Sequence, residues 1–329
     1  MSEGDGRPAI EIITPGVLTT VQDRGRPGYQ SMGIAESGAM DIFSLISANR
    51  LVENPDNSAC LEVTLVGPKI RFLRPIWGSL AGAHLSAHLN QYPLNPGRTF
   101  KAETGDLLSF GPRVYGMRAY MAVAGGFDVP MVLGSRSTYL YAEFGGYEGR
   151  PLRKGDILSA FILENGNEPT FVELPAEFQM GKCDSFHIHV IIGPHEDRFT
   201  QEGLQTFLNS RYVVMSDSNR MGYRLKGPKI THRDTPIVVS EATPLGAVQV
   251  PGQGTPVILL RERGTTGGYT KIACVIRRDI DKLAQIFPGE GIFFHSVDLS
   301  EGHRMDRERW EAFESWRKGR VIRARNQNT

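Results

Sequence analysis

Short apolar runs that end in glycine, proline, asparagine or aspartate recur along almost the whole sequence, and that punctuation limits what the chain can fold into. Runs at 59–65, 107–110, 118–123, 187–192, 236–239, 257–260 and 271–276 are rich in Val, Ile, Leu or aromatics. Each has the length and the boundaries of a strand. The 37 glycines and 20 prolines supply the breaks, at a density well below that of disordered segments. Helical periodicity is scarce. At 39–51, Met40, Phe43, Ile46, Ala48 and Leu51 fall near helical spacing, and Asn54-Pro55 ends the segment. A short helix is expected at 279–286 and a charged one at 306–320, the latter carrying Trp310, Phe313 and Trp316. The expected fold class is mostly β, with a few short helices.

A polar, turn-rich stretch at 164–169 marks a boundary, and strand-like sequence resumes at Ser185. The expected division is a flexible leader at 1–9, a first domain at 10–184, a second at 185–300 and a charged helical tail at 301–329. An internal echo supports two related halves. Gly67-Pro68-Lys69-Ile70 recurs as Gly227-Pro228-Lys229-Ile230, and GMRAYMAV at 116–123 resembles GYTKIACV at 268–275, in the same order.

Composition removes several function classes. Lysine plus arginine number 37 against 36 aspartate plus glutamate, whereas nucleic-acid affinity rests on clustered excess cations. Cys60, Cys183 and Cys274 are far apart with no CxxC, as expected of free thiols in a reducing compartment. No apolar run reaches the ~18 residues of a spanning helix, and residues 1–8 carry no signal-peptide core, so a cytoplasmic protein is expected. The signatures GxxxxGK[ST], GxGxxG, HExxH and GxSxG do not occur. No lysine lies between methionines in the manner of a biotin-acceptor hairpin, so any biotin would arrive on another chain.

Three polar clusters remain as candidate sites. The stretch 20–41 packs Gln22, Asp23, Arg24, Arg26, Tyr29 and Asp41 among four glycines. Glycine allows tight turns and close ligand approach, and Arg with Asp can hold charged groups. The same residues also suit an ordinary surface loop. At 218–225, Ser218, Arg220, Tyr223 and Arg224 form the second cluster. Period-2 alternation would put both arginines on one strand face, able to grip a carboxylate or phosphate in a fork, or else simply solvated. At 259–272 an apolar run delivers Glu262 and then Thr265, Thr266, Gly267, Gly268 and Tyr269. Backbone N–H groups and hydroxyls concentrated there suit an oxyanion, although Gly-Gly is equally a hairpin signal. His187 and His189 share a strand face, but no third histidine or carboxylate follows at useful spacing, so no metal site is expected.

In this order the motifs resemble one family across about 10–297: the C component of 5-oxoprolinase, the second component of allophanate hydrolase and the biotin-dependent carboxyltransferase part of urea carboxylase. Family members look like TVQD-GRPGYQ followed by GAMD, matched at 20–30 and 38–41. LE-T--GP is matched at 61–68, AVAGG at 122–126, LGSRST at 133–138 with Ser135 and Arg136, and GG--GR-L--GD at 145–156. The second half matches S-RMGYRL-G at 218–227, SE at Ser240-Glu241, G-VQVP--G-P at 246–256 with Gln249, and TTGGY at 265–269. Members often read D-x-Q-T-T-G-G-Y-P, where this chain has Glu262, Gly264 and Thr270.

The resemblance implies two tandem cyclophilin-like β-barrel domains and a site shared with a partner. That partner would be like the B component of 5-oxoprolinase, which is similar to a sporulation kinase inhibitor. The resemblance implies that Arg220 and Glu262 sit where relatives hold a bound urea. It further implies activation of the 5-oxoproline amide for ring-opening hydrolysis, with ATP shared with the partner and a third hydrolase subunit completing the reaction. The alternatives are carboxyl transfer to urea or a related amide from carboxybiotin on another chain, and non-catalytic binding of a kinase-inhibitor-like protein. In the catalytic versions Glu262 would take the amide N–H, while Arg220 and the Gly267–Gly268 N–H groups would stabilise charge on oxygen.

Overall fold

The computed structural model describes residues 6–162, 169–183 and 185–327, with side chains up to residue 319. The first five residues of the expected leader, most of the boundary stretch at 164–169 and the last two residues of the tail lie outside the described residues. The chain is mostly β, as its punctuation implies, and each of the seven strand-like runs forms a strand within a residue or three of the expected ends.

Residues up to 160 build two sheets around one core. One has seven strands in the order Phe127–Asp128, Ile157–Ala160, Arg7–Thr14, Lys69–Phe72, Leu107–Ser109, Ala87–Leu89 and Tyr92–Leu94. The other has five: Leu18–Gln22, Cys60–Thr64, Tyr115–Val123, Ile76–His84 and Arg98–Ala102. Alternation sets the inward faces, so Ile70 and Phe72 are buried while Lys69 and Arg71 are exposed. Tyr115–Val123 is buried on both faces and reads as a continuous apolar run. Ala119, Met121 and Val123 enter the core between the sheets, and Tyr120 and Ala122 enter a second cluster on the outer side.

That outer cluster is roofed by helix α1, Ile42–Leu51, whose residues are all buried. Asp41 caps α1 by accepting from the Ser44 N–H at 2.8 Å. The C-terminal helix packs Trp310, Phe313 and Trp316 on this roof, with Phe313 fully buried against Phe43 and Phe178. At Leu299–Gln327 this helix extends past the 306–320 segment at both ends and runs through most of the expected helical tail.

Residues 186–296 close a seven-stranded barrel in the order Phe186–Ile192, Lys271–Val275, Ala247–Gln249, Val257–Leu259, Gly222–Lys226, Arg211–Val214 and Gly291–Ser296. A helix at Gln201–Asn209, not expected from the sequence, packs Leu204 and Phe207 into this barrel. The helix at Arg277–Leu283 faces α1 and the seam between the halves. Of the recurring Gly-Pro-Lys-Ile, the first copy runs into the strand Lys69–Phe72 and the second lies outside any strand, although Ile70 and Ile230 each enter the core of their own half. A separate antiparallel ribbon pairs Ile237–Ala242 with Thr266–Tyr269.

Candidate functional site

The structure brings Arg220 and Glu262 together, but buries both in the seam. Arg220 Nε donates to Glu262 Oε1 at 2.6 Å, Nη1 to Glu62 Oε1 at 2.5 Å and Nη2 to the Gly38 carbonyl at 2.6 Å. Their exposures are 4%, 3% and 1% for Arg220, Glu262 and Glu62. Burial opposes the charge on Arg220, but Glu62 and Glu262 outweigh it and hold its pKa above the ordinary value. Glu62 also accepts from the Tyr120 hydroxyl at 2.7 Å and the Met40 N–H at 2.8 Å. Arg118 crosses the seam as well, donating to the Tyr223 hydroxyl at 2.8 Å and the Ala284 carbonyl at 2.5 Å. The expected pairing of Arg220 with Arg224 on one face does not occur. Regular strand begins at Gly222, so Arg220 turns inward while Arg224 stays exposed beside Asp217, 3.3 Å away. Tyr223 is core, and Ser218 accepts from the Arg224 N–H within the turn.

The first-half candidates form a buried nest beside this network. Asp23 accepts from Ser135 Oγ, Ser137 Oγ and the N–H groups of Gly25 and Arg136, all within 2.8 Å. It thereby fixes the 20–41 loop to the 133–138 loop. Arg26 is fully buried, lies over the Phe144 ring and donates to the Ser137 carbonyl. Its Nε and Nη1 have no partner among the described residues, and burial lowers its pKa despite Asp23 and Glu262 nearby. Gln22 donates to Thr20 Oγ1 and the Thr138 carbonyl, both at 3.1 Å. Two candidates have structural roles. Asp41 caps α1 and accepts from Gln285 Nε2 across the seam, and the Tyr29 carbonyl accepts from the Met32 N–H in a short turn. Arg136 lies over Phe161.

Above the nest, a cleft of about 950 Å³ opens between the halves. Arg24 comes to it from the first half, and Arg261, Arg263 and Arg277 come from the second; Glu36 is the acid in its wall. Arg261 and Arg263 flank Glu262 in sequence, and each places Nη1 4.0 Å from Glu36 Oε2, too long for a tight pair. Burial lowers the pKa of both. The Arg261 Nε is buried with no partner among the described residues. Four cations against one loosely held carboxylate make this a place for an anion.

The 265–269 segment is neither a turn nor an exposed loop of free N–H groups. Thr266–Tyr269 is a ribbon strand, with Gly267 opposite Glu241 and Thr266 opposite Ala242. The Thr265 carbonyl accepts from the Thr243 N–H at 3.1 Å. Glu241 accepts from Lys271 Nζ at 2.6 Å, a bond that lowers its pKa. The absence of a Gly267 side chain makes room for Gln249. His187 also finds a neighbour that the sequence hid, because a parallel strand brings His295 Nε2 to 2.7 Å from its Nδ1.

Residues 32–296 match the carboxyltransferase domain family, subdomains A and B. The chain is 37% identical over 310 residues to the C component of the Escherichia coli 5-oxoprolinase, covering 94% of this chain and 98% of that one. The chain belongs to the carboxyltransferase domain family. It is 33% identical to the urea amidolyase of Lachancea kluyveri over 95% of its own length, but spans 18% of that protein. The crystal structure of the Kluyveromyces lactis urea amidolyase superposes with a TM-score of 0.88 at 32% identity, over 95% of this chain and 20% of that one.

Within this family fold, several polar residues at the site were not singled out by sequence: Glu62, Arg118, Lys271, His195 and the cleft arginines Arg261, Arg263 and Arg277. Glu62 and Lys271 lie in strands of apolar neighbours, where a single charge is itself a signal, since burial of a charge requires a partner. Arg261 and Arg263 bracket Glu262 and were legible as a charged triplet at the end of an apolar run.

Proposed function

We propose that this chain is the C component of an ATP-dependent 5-oxoprolinase, acting with a partner like that enzyme's B component to activate the amide of 5-oxoproline for ring opening. The observation that supports it is the cleft, with four arginines against one glutamate. The substrate carboxylate and the phosphates of ATP are anions that guanidinium forks bind bidentately, whereas urea is neutral. ATP supplies, when bound, the phosphoryl group that converts the amide oxygen into part of a good leaving group. This chain's share is to hold the anionic group in the cleft, with Arg24 and Arg277 at exposed positions able to adjust to it and Arg261 and Arg263 fixed deeper. The near-complete alignment to the E. coli protein supports the same reading. The likeness to urea amidolyase supports a second one, carboxyl transfer to urea or a related amide, in which the anion would be carboxybiotin on another chain.

The test is ATP hydrolysis stimulated by 5-oxoproline, measured with the purified chain together with a coexpressed partner of the B-component type. Arg24→Glu with Arg277→Glu should raise KM about tenfold or more, as expected for loss of charge-assisted hydrogen bonds, with an unchanged melting temperature. Absence of such ATP hydrolysis, together with carboxylation of urea in the presence of a biotinylated carrier, would overturn the oxoprolinase reading.

A further inference from the structure

Glu36 is the acid in the wall of the arginine cleft, and its backbone is clamped there. The Arg26 N–H donates to the Glu36 carbonyl at 2.8 Å, and the next residue, Ser37, donates its N–H to the Arg261 carbonyl at 3.1 Å. The side chain is held far less firmly. Its carboxylate accepts from Gln30 Nε2 at 3.3 Å, and its Oε2 stands 4.0 Å from Nη1 of both Arg261 and Arg263. Tight charge-assisted pairs close to about 2.7–2.9 Å. With the side chain 24% exposed, rotation about its own bonds can carry the carboxylate into water while the main chain stays in place.

The two arginines are in the opposite state. Arg263 is pinned through Nε, which donates to the Thr243 carbonyl at 2.8 Å, and its side chain is 3% exposed; that of Arg261 is 12% exposed. Burial lowers the pKa of both. Asp281 and then Glu36 oppose that effect at Arg261, and Glu36 opposes it at Arg263. Asp281 is committed elsewhere, since it accepts from the Ile42 N–H at 3.0 Å and from Arg309 Nη2. Glu36 is the acid beside them that is free to leave.

We propose that Glu36 is a displaceable counter-ion: its carboxylate screens Arg261 and Arg263 while no ligand is bound, and turns aside when an oxyanion takes its place between them. Arg24 and Arg277 add two further cations at exposed positions of the same cleft. Turning Glu36 out therefore leaves four guanidinium groups facing the ligand. That surplus favours a multivalent oxyanion of the phosphate or polyphosphate class. A lone carboxylate exchanges with Glu36 like for like and gains little, whereas a phosphate brings more charge and more acceptor oxygens for the forks. The cost of the exchange is subtracted from the affinity of every anion, so Glu36 sets how tightly the cleft binds. That the cleft serves an anion rests on the functional reading above; the exchange at Glu36 adds the residue that controls it.

The experiment is a calorimetric titration of the full chain with inorganic pyrophosphate at fixed ionic strength, paired with thermal midpoints measured without and with the anion. Glu36→Gln keeps the volume and loses the charge, and should bind pyrophosphate about tenfold tighter than the wild type. Without the anion this variant should melt lower, because the arginines have lost their counter-ion. With saturating pyrophosphate its midpoint should rise by more than that of the wild type. A residue serving the fold alone would not tighten binding, and a misfolded variant could not. Arg261→Met and Arg263→Met should each weaken binding about tenfold or more. Glu202→Gln, the same change of charge on the helix Gln201–Asn209, should leave it unchanged. ATP titrated in place of pyrophosphate distinguishes a nucleotide from a free polyphosphate, and the Glu36→Gln gain is expected with whichever binds. Unchanged or weaker affinity in Glu36→Gln would overturn the inference, as would an equal gain in Glu202→Gln. So would absence of saturable binding of both anions by wild type and Glu36→Gln, alone and with the partner. If the gain appears while 5-oxoproline fails to stimulate ATP hydrolysis, the oxoprolinase reading falls and the role of Glu36 stands.

Discussion

Replacing Arg220 with Met should destabilise the protein more than any other single change at the seam. Arg220 makes three short hydrogen bonds, two to carboxylates buried to 1% and 3% exposure and one to the Gly38 carbonyl. Methionine fills similar volume, so the loss is electrostatic rather than a cavity. Removing one partner of a buried ion pair costs about 3–5 kcal/mol, because the remaining charge is stranded out of water. Glu62 keeps some compensation from Arg118, whose Nε lies 3.8 Å away, and from the Tyr120 hydroxyl. The Glu262 carboxylate retains, among the described residues, a 3.4 Å contact from Ser37 Oγ, so most of the penalty falls on it. Arg220→Lys keeps the charge but cannot reach three acceptors in a plane, and should cost about half as much. The assay is urea unfolding followed by circular dichroism and tryptophan fluorescence. All three tryptophans, Trp77, Trp310 and Trp316, pack around the α1 roof, so fluorescence reports chiefly on the first half. Loss of the seam should therefore separate the two signals. Adding Glu262→Gln to Arg220→Met should recover part of the loss, since the stranded charge is gone. An Arg220→Met protein within about 1 kcal/mol of wild type, with coincident transitions, would refute the reasoning.

Phe313→Ala should lower stability by about 3–5 kcal/mol, read as a fall in melting temperature, because the ring is fully buried among Phe43, Phe178 and Trp316. Asp41 gives a pH-dependent case. Burial first, and the Asp281 charge second, push its pKa up to about 6. A folded-state pKa above the unfolded value means that this group favours folding below the ordinary carboxylate range and loses that contribution as pH rises through about 6. Asp41→Asn removes the dependence while keeping an oxygen for the Ser44 cap. The melting temperature of the variant minus that of the wild type should thus become more favourable to the variant between about pH 4 and pH 7, and a flat difference would contradict the assignment.

The parts of the fold that depend on local chemistry were legible, and those that depend on distant pairing were not. Strand positions followed from short apolar runs between turn residues, and α1 from its spacing and from the Asn-Pro that ends it. The helix Gln201–Asn209 was missed because it is short and holds only Leu204 and Phe207 as buried large apolar residues, although Thr200 carries the N-cap signal, accepting from the Gly203 N–H. At the site, Glu262 stood out as an acid at the end of an apolar run and Arg220 as one of two arginines in a strand-like segment, yet Glu62, the second carboxylate that Arg220 holds, is 158 residues from it. Period-2 alternation failed at Arg220 because the strand starts two residues later, and a one-residue error of that kind reverses a side chain. The Thr-Thr-Gly-Gly segment was read as a turn or an oxyanion loop, since nothing local announces a cross-ribbon partner at Glu241.

The seam explains why a chain of two β halves keeps so many buried charges where apolar packing would serve for stability. Apolar surfaces can slip past one another with little loss, whereas Arg220 meets Glu62, Glu262 and Gly38 in only one relative placement of the halves. Gln285 acts in the same way, donating to Asp41 and the Arg118 carbonyl while accepting from the Met117 and Arg118 N–H groups. This is the use of buried polar groups to fix register. The cleft depends on that register, because Arg24 stands on one half and Arg261, Arg263 and Arg277 on the other. On the functional reading proposed above, Arg220 is a positioning residue that acts on anion binding through the cleft. A variant that weakens the seam should lose anion affinity and stability in proportion. Addition of a stabilising osmolyte should recover both together, whereas a residue acting directly on the substrate would regain stability without activity.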